Sequence, residues 1–264
     1  MRRSLTLFIY IMVAMAASAQ YKAPQIIAHR GFHKAEGAEK NSLNALREAQ
    51  KAKFWGSECD INLSKDNELL VVHGAWHPSK SSSPKVNVQH DNKADIQAIP
   101  LASGERVPTL DEYLAQFSSA KGTKLIIELK NHDTPERETE IVKRVLAKIK
   151  EYGVEEEVEY IAFSQYVCSE LSRLAPKGTK IAYLGSNLSP KRCKELGCTG
   201  IDYNITVLQL MPQWIKQAHA LGMTVNAWTV NSERNIRWCI KHEIDYITTD
   251  NPLLATDIVG KMCR

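Results

Sequence analysis

The chain has 264 residues, with 34 Lys+Arg against 30 Asp+Glu, a formal net charge of +4 and 44% hydrophobic residues. So small a positive excess does not argue for nucleic acid or an anionic membrane as partner. The length suits one large α/β barrel or two small domains.

Met1-Arg2-Arg3 precedes an almost wholly apolar run from Leu5 to Ala16 and the small-residue site Ala17-Ser18-Ala19. A basic start, a short apolar core and an A-x-A site predict a secretory signal peptide over 1–19, cleaved before Gln20. The run is too short for a comfortable membrane span. No cysteine follows the site to take a lipid, and no second long apolar run appears. Residues 20–264 are therefore expected to be a soluble, exported domain, periplasmic or secreted, with no stable membrane anchor. Cleavage removes Arg2 and Arg3 and no acid, so the net charge falls from +4 to +2. The six cysteines (Cys59, Cys168, Cys193, Cys198, Cys239, Cys263) all lie beyond the site, where disulfides are permitted. Cys193 and Cys198 have no histidine at finger-like spacing, which argues against zinc. Core cysteines or one or two disulfides remain.

In chain order, apolar runs predict strands over 25–28, 57–63, 69–72, 124–129, 159–163, 180–184, 201–205, 224–229 and 246–248. A helix over 42–53 follows Asn41, read as its cap. A second, over 135–152, opens on Pro135, stops at Gly153 and carries one stripe of Ile141, Val142, Val145, Leu146 and Ile149. Helices over 213–220 and 232–242 complete the pattern. Strand–helix alternation predicts a mostly parallel sheet, and its repetition a (β/α)8 TIM barrel. Nine strands are one too many for that barrel. The link 64–68 is too short for a parallel crossover, so 57–63 and 69–72 form a hairpin and eight barrel strands remain. A turn centred between Asp66 and Asn67 sets His73 opposite Asp60. Residues 74–108 carry little pattern, with the Ser/Pro-rich segment 77–85 reading as an exposed loop. They are expected to form a small insertion at the active-site end.

Chemistry gathers at the predicted strand ends. Ile26-Ile27-Ala28 runs into His29-Arg30-Gly31. Adjacent residues on an ideal strand point to opposite sides, so the strand must end there, with Gly31 freeing the turn. Glu58-x-Asp60 and Glu128-x-Lys130 each place two side chains on one side of a strand. Neighbouring carboxylates such as Glu58 and Asp60 repel unless a cation lies between them or one is protonated, and Glu128 would make a third at the same point. Oxygen donors favour Ca²⁺ or Mg²⁺ over zinc or copper. Arg30 and Lys130 add positive charge suited to a small-molecule phosphate ester. His29 and His73 are the acid/base candidates. Trp228 lies near the C-terminal end of a late strand, where a tryptophan can also be a barrel-core residue. His33, His77, His90 and His132 read as loop histidines, and Asp250 as a helix cap at least as readily as a substrate contact.

His-Arg-Gly, Glu-x-Asp, "DNELLVVH", "ERVPTLDEYL", Glu-x-Lys, "NAWTVN" and "IDYITTDNP" occur in an order and spacing that resemble the glycerophosphodiester phosphodiesterases, from His29 to Pro252. The resemblance implies a metal-dependent barrel that cleaves glycerophosphodiesters to glycerol 3-phosphate and an alcohol. The substrate's own glycerol hydroxyl would attack, and water would open the cyclic phosphate. It implies Glu58, Asp60 and Glu128 as metal ligands, His29 and His73 as the acid/base pair, Arg30 and Lys130 on phosphate, and Trp228 against the glycerol or alcohol. Two departures stand out. Lys40 occupies the place of a glutamate in the family's Pro-Glu-Asn-Thr, and Gly74 that of an aspartate after His73. Glu36 or Glu39 are candidate substitutes. The departures keep two alternatives open: another phosphodiester, such as phosphoinositol or a lysophospholipid, or a phosphate-ester-binding protein without turnover.

Overall fold

The computed structural model describes residues 21–78 and 85–263; the expected signal peptide and most of the segment 77–85 lie outside them. All nine expected strands form, with ends within one residue of expectation. In chain order the elements are β1 (Gln25–Ala28), α1 (Leu43–Lys51), β2 (Gly56–Leu63), β3 (Leu69–Val71), β4 (Trp76–His77), β5 (Val86–Asn87), α2 (Lys93–Gln97) and α3 (Leu110–Ser118). They continue with β6 (Lys124–Leu129), α4 (Pro135–Tyr152), β7 (Val158–Ala162), α5 (Gln165–Leu174), β8 (Ile181–Tyr183), α6 (Pro190–Glu195), β9 (Gly200–Asn204) and α7 (Ile205–Leu210). Last come α8 (Gln213–Ala220), β10 (Thr224–Trp228), α9 (Glu233–Lys241), β11 (Tyr246–Thr249) and α10 (Pro252–Met262).

Eight strands close into a parallel barrel in the order β1, β2, β6, β7, β8, β9, β10, β11, the last returning to β1. The closure explains why the strands read as continuous apolar runs: both faces are covered. Cys59, Ile61, Leu125, Ile127, Tyr160, Ile201, Tyr203 and Val225 point out into the layer shared with the helices. Alternate residues Ile27, Ile126, Ile161 and Leu184 pack together inside the barrel. Helix α4 shows how local signals set an element. Thr134 accepts from the Arg137 amide, Pro135 opens the first turn, and Gly153 ends it in the left-handed region at φ 63°.

Three expectations need correction. The hairpin pairs Ile61 with Val71 and Leu63 with Leu69, so Asp60 stands opposite Val72 and His73 lies one residue further on. The cause is the loop. Ser64 Oγ accepts from the Glu68 amide and donates to Asp66, and Asn67 adopts φ 65°, which centres the turn on Asp66. Asn41 does not cap α1; Ser42 does, accepting from the Ala45 amide. The stretch 74–108 is more ordered than its composition suggested. β4 pairs with β5, and Val88, Ile96 and Val107 pack on Leu70 and Val72 of the hairpin. Helices α3, α5 and α6 carry caps at Thr109, Ser164 and Ser189 that strand-led reading passed over.

Of the cysteines, Cys59, Cys168, Cys193, Cys198 and Cys239 are buried thiols, so for these the core-cysteine alternative holds. Among the described residues no helix is long and apolar enough to cross a membrane.

Candidate active site

The strand ends meet in a cavity of about 100 Å³ lined by His29, Arg30, Glu58, His73, Glu128, Phe163, Asp202 and Trp228, among others. Each polar group arrives there for a local reason. β1 stops at Ala28 because Arg30 and Gly31 both take positive φ, 56° and 77°. Only glycine fits at position 31: a Cβ there would lie 2.7 Å from the Ala45 backbone carbon. The turn points the Arg30 amide at Glu58 Oε2 (2.8 Å) and its side chain at Asp60, with Nε 3.1 Å from Oδ2. The expected parity conflict between His29 and Arg30 is thus resolved by ending the strand.

Glu58 and Asp60 face the barrel interior on β2, 2% and 0% exposed, and the parallel register sets Glu128 of β6 beside Asp60. One carboxylate oxygen from each of the three lies within 4.8 Å of the others. Two cations compensate in part. Lys130 Nζ is 2.5 Å from Glu128 Oε1 and 3.3 Å from Asp60 Oδ1, and Arg30 covers the other Asp60 oxygen. Asn41 braces the same residue, donating to Asp60 Oδ2 and accepting from its amide.

The electrostatics divide the three acids. Burial alone would raise the Asp60 carboxyl, but Lys130 and Arg30 overcome it and hold the group well below its ordinary range. Glu58 goes the other way, raised by burial first and then by Asp60 and Glu128. Glu128 is pushed up to about 7 by burial and Asp60, against Lys130. Three buried acids thus face two cations. Glu58 Oε1 is buried with no hydrogen-bond partner. An all-oxygen donor set with one unsatisfied carboxylate oxygen fits a hard divalent cation.

The histidines stand on the same rim. Burial lowers the His29 pKa, opposed by its hydrogen bond to Asp250. His73 is pushed down to about 4, by partial burial first, with Lys130 and Arg30 adding to the effect and Asp60 opposing it. Opposite them lies an apolar wall. Trp228 and Phe163 meet edge to face at 5.6 Å, and the Trp228 indole N–H donates to the Asp202 carbonyl. Trp228 both lines the cavity and packs against the barrel-interior cluster of Ile27, Ile126, Ile161 and Leu184.

Several residues matter here that strand patterns did not single out. Asp202 lies on the cavity floor, 1% exposed, with Oδ1 unpartnered and its pKa raised by burial and then by Glu128. Asp250 does not cap α10; its carboxylate meets His29, His33 and Asn231. His33 is drawn in from the loop set to Asp250, while His77 and His132 make ordered backbone hydrogen bonds. Lys40 Nζ is 3.8 Å from Asp250 Oδ1. Glu36 and Glu39 are not among the residues lining the cavity.

Comparison with known proteins agrees with this geometry. Residues 29–254 match the model of the glycerophosphoryl diester phosphodiesterase family. A glycerophosphodiester phosphodiesterase of Caldanaerobacter subterraneus subsp. tengcongensis is 26% identical over 246 residues, covering 89% of this chain and 98% of that protein. The crystal structure of a glycerophosphodiester phosphodiesterase from Parabacteroides distasonis superposes with a TM-score of 0.87 at 36% identity, covering 92% of this chain and 100% of that one. A phosphodiesterase from Oleispira antarctica, solved in complex with the product sn-glycerol-3-phosphate, shares the fold with a TM-score of 0.78 at 22% identity, covering 90% and 97% of the two chains.

Proposed function

The chain belongs to the glycerophosphoryl diester phosphodiesterase family, and from that premise we propose that it hydrolyses glycerophosphodiesters to glycerol 3-phosphate and an alcohol, with a divalent cation. The observation that carries the reading is the convergence of two histidines, an arginine, a lysine and three buried carboxylates on one cavity. Glu58, Asp60 and Glu128 would hold Ca²⁺ or Mg²⁺. Bound there, the ion would neutralise phosphate charge and lower the pKa of an attacking hydroxyl. With three acids, two cations and a divalent ion, the site carries one surplus positive charge, which a phosphodiester monoanion balances.

The protein's own groups supply positioning and proton transfer. Arg30 and Lys130 orient the phosphate. Trp228 and Phe163 offer an apolar wall to the glycerol or alcohol carbons. In the first step a glycerol hydroxyl attacks phosphorus and one histidine takes its proton. The other histidine gives a proton to the departing alcohol oxygen, leaving a cyclic phosphate. Water then opens the ring with the two roles exchanged. Export is part of this reading and is supported by residues 1–19 of the sequence alone.

The test is glycerol 3-phosphate release from glycerophosphocholine and related diesters, with Ca²⁺, with Mg²⁺ and with chelator. Release that stops with chelator and in His29→Ala is expected; full activity in either condition refutes the mechanism. One observation favours a variant of the reading. Lys40 places a partly exposed cation beside Asp250, which suits a diester whose leaving alcohol bears negative charge, such as a phosphorylated inositol. A panel of diesters with cationic, neutral and anionic alcohols separates the two.

A further inference from the structure

Asp250 and His29 belong to a chain of hydrogen bonds whose direction is set by the backbone. The Asp250 amide donates to Asn231 Oδ1 at 2.8 Å, and the Thr249 hydroxyl donates to the same oxygen at 3.1 Å. A backbone N–H can only donate, so the Asn231 amide has one possible orientation. Its Nδ2 is then the group that donates to Asp250 Oδ2, at 2.8 Å. A carboxylate only accepts, so Asp250 Oδ1 must be met by donors. The ring nitrogens facing it are His29 Nδ1 at 2.8 Å and His33 Nε2 at 2.9 Å. The carboxylate is not engaged in capping: α10 opens on Pro252 with Asn251 in the cap position.

We infer that Asp250 is the positioning residue for His29: it accepts the Nδ1 proton and so leaves Nε2 as the unprotonated nitrogen that can take a proton from substrate. The neutral imidazole has two tautomers, and only one places a lone pair on Nε2. His29 lines the cavity, so the nitrogen turned away from Asp250 is the one available there. Burial would raise the Asp250 carboxyl, but the hydrogen bonds from His29 and His33 overcome it and keep the group ionised. His33 thereby supports the acceptor. Lys40 Nζ lies 3.8 Å from the same Asp250 oxygen, Oδ1.

The decisive variant is Asp250→Asn. Asn231 Nδ2 still points at the position of Oδ2, so the new amide must turn its oxygen there and its NH2 toward His29 and His33. His29 Nδ1 then has to accept, and the ring proton moves to Nε2. In a serine protease triad the equivalent loss of tautomer costs about 10⁴-fold in kcat.

The test reads the tautomer directly, by long-range ¹⁵N–¹H correlation on the ¹⁵N-histidine-labelled mature chain in chelator at pH 8. His29 is expected to be protonated at Nδ1 in the parent and at Nε2 in Asp250→Asn. A parent ring protonated at Nε2, or an unchanged tautomer in the variant, overturns the inference. The kinetic arm rests on the proposed phosphodiesterase reading. There kcat should fall at least about 10²-fold in Asp250→Asn, with KM changed less than about threefold. A kcat within about threefold of the parent also overturns the inference. If the parent turns over no diester, the functional reading fails while the tautomer measurement still decides this one. Should Asp250→Asn not fold, Asp250→Glu serves. It retains the acceptor and should keep His29 protonated at Nδ1, whereas Nε2 protonation there would count against the proposal.

Discussion

Replacing Lys130 by methionine tests how the acid cluster is held together. Lys130 is 17% exposed and bridges Glu128 (2.5 Å) and Asp60 (3.3 Å), the latter fully buried. At an effective dielectric of about 20, a unit pair at roughly 4 Å is worth about 4 kcal/mol, and desolvation of the ammonium offsets part of two such pairs. Removing one partner of a buried pair leaves a net loss of about 3–5 kcal/mol, because the abandoned charges stay buried. Lys130→Met keeps most of the apolar stem and removes the ammonium, so the loss is chiefly electrostatic.

The loss must depend on pH, and the sign follows from the carboxyls. Glu128 is raised from its ordinary 4.5 to about 7, and Glu58 is raised too, so the folded chain binds more protons than the unfolded chain across that window. Stability contributed by these groups is present below about pH 4.5 and is lost as pH climbs through about 7. Near pH 5 Glu128 is protonated, and Arg30 remains beside Asp60. Urea denaturation in chelator should therefore show a Lys130→Met loss of about 3–5 kcal/mol at pH 8, smaller by at least about 1 kcal/mol at pH 5. Ca²⁺ or Mg²⁺ should recover part of the loss at pH 8. An equal loss at both pH values, or one under about 1 kcal/mol at pH 8, would refute the reasoning.

Gly31→Ala puts a Cβ 2.7 Å from the Ala45 backbone at φ 77°; we expect about 2–4 kcal/mol of destabilisation and reduced turnover, read by urea midpoint and kcat. Asn41→Ala leaves the Asp60 amide unpartnered and removes a donor to its carboxylate, for about 2–4 kcal/mol in the same denaturation assay. Glu58→Gln retains side-chain shape and should weaken divalent-cation binding at least about tenfold by calorimetric titration, with the circular dichroism spectrum unchanged; unaltered affinity would remove Glu58 from the ligand set.

How far the sequence could be read depended on the range of the interaction. Strands announced themselves because barrel strands are buried on both faces. Glu58, Asp60, Glu128 and Lys130 were legible because period-two alternation puts such pairs on one side, next to an apolar run that makes an unpaired charge costly. The helix signals at Thr109 and Ser164 were present and went unread beside stronger strand patterns. The one-residue error in the hairpin came from the loop: Asn67 in the left-handed region moved the turn centre, which no alternation rule reports.

Residue types, their order and their parity along each strand thus determined the architecture and most of the charged residues at the mouth, because these follow from covalent spacing and local burial. What the sequence could not hold is which distant groups touch. Asn41 reads as a cap and instead braces Asp60, 19 residues away; Asp250 reads as a cap and instead meets His29, 221 residues away. Only the pairing of β11 with β1 brings that last strand end beside the first. Closure of the barrel is a cooperative property of all eight strands, so the partner of the first histidine was decided by the fold.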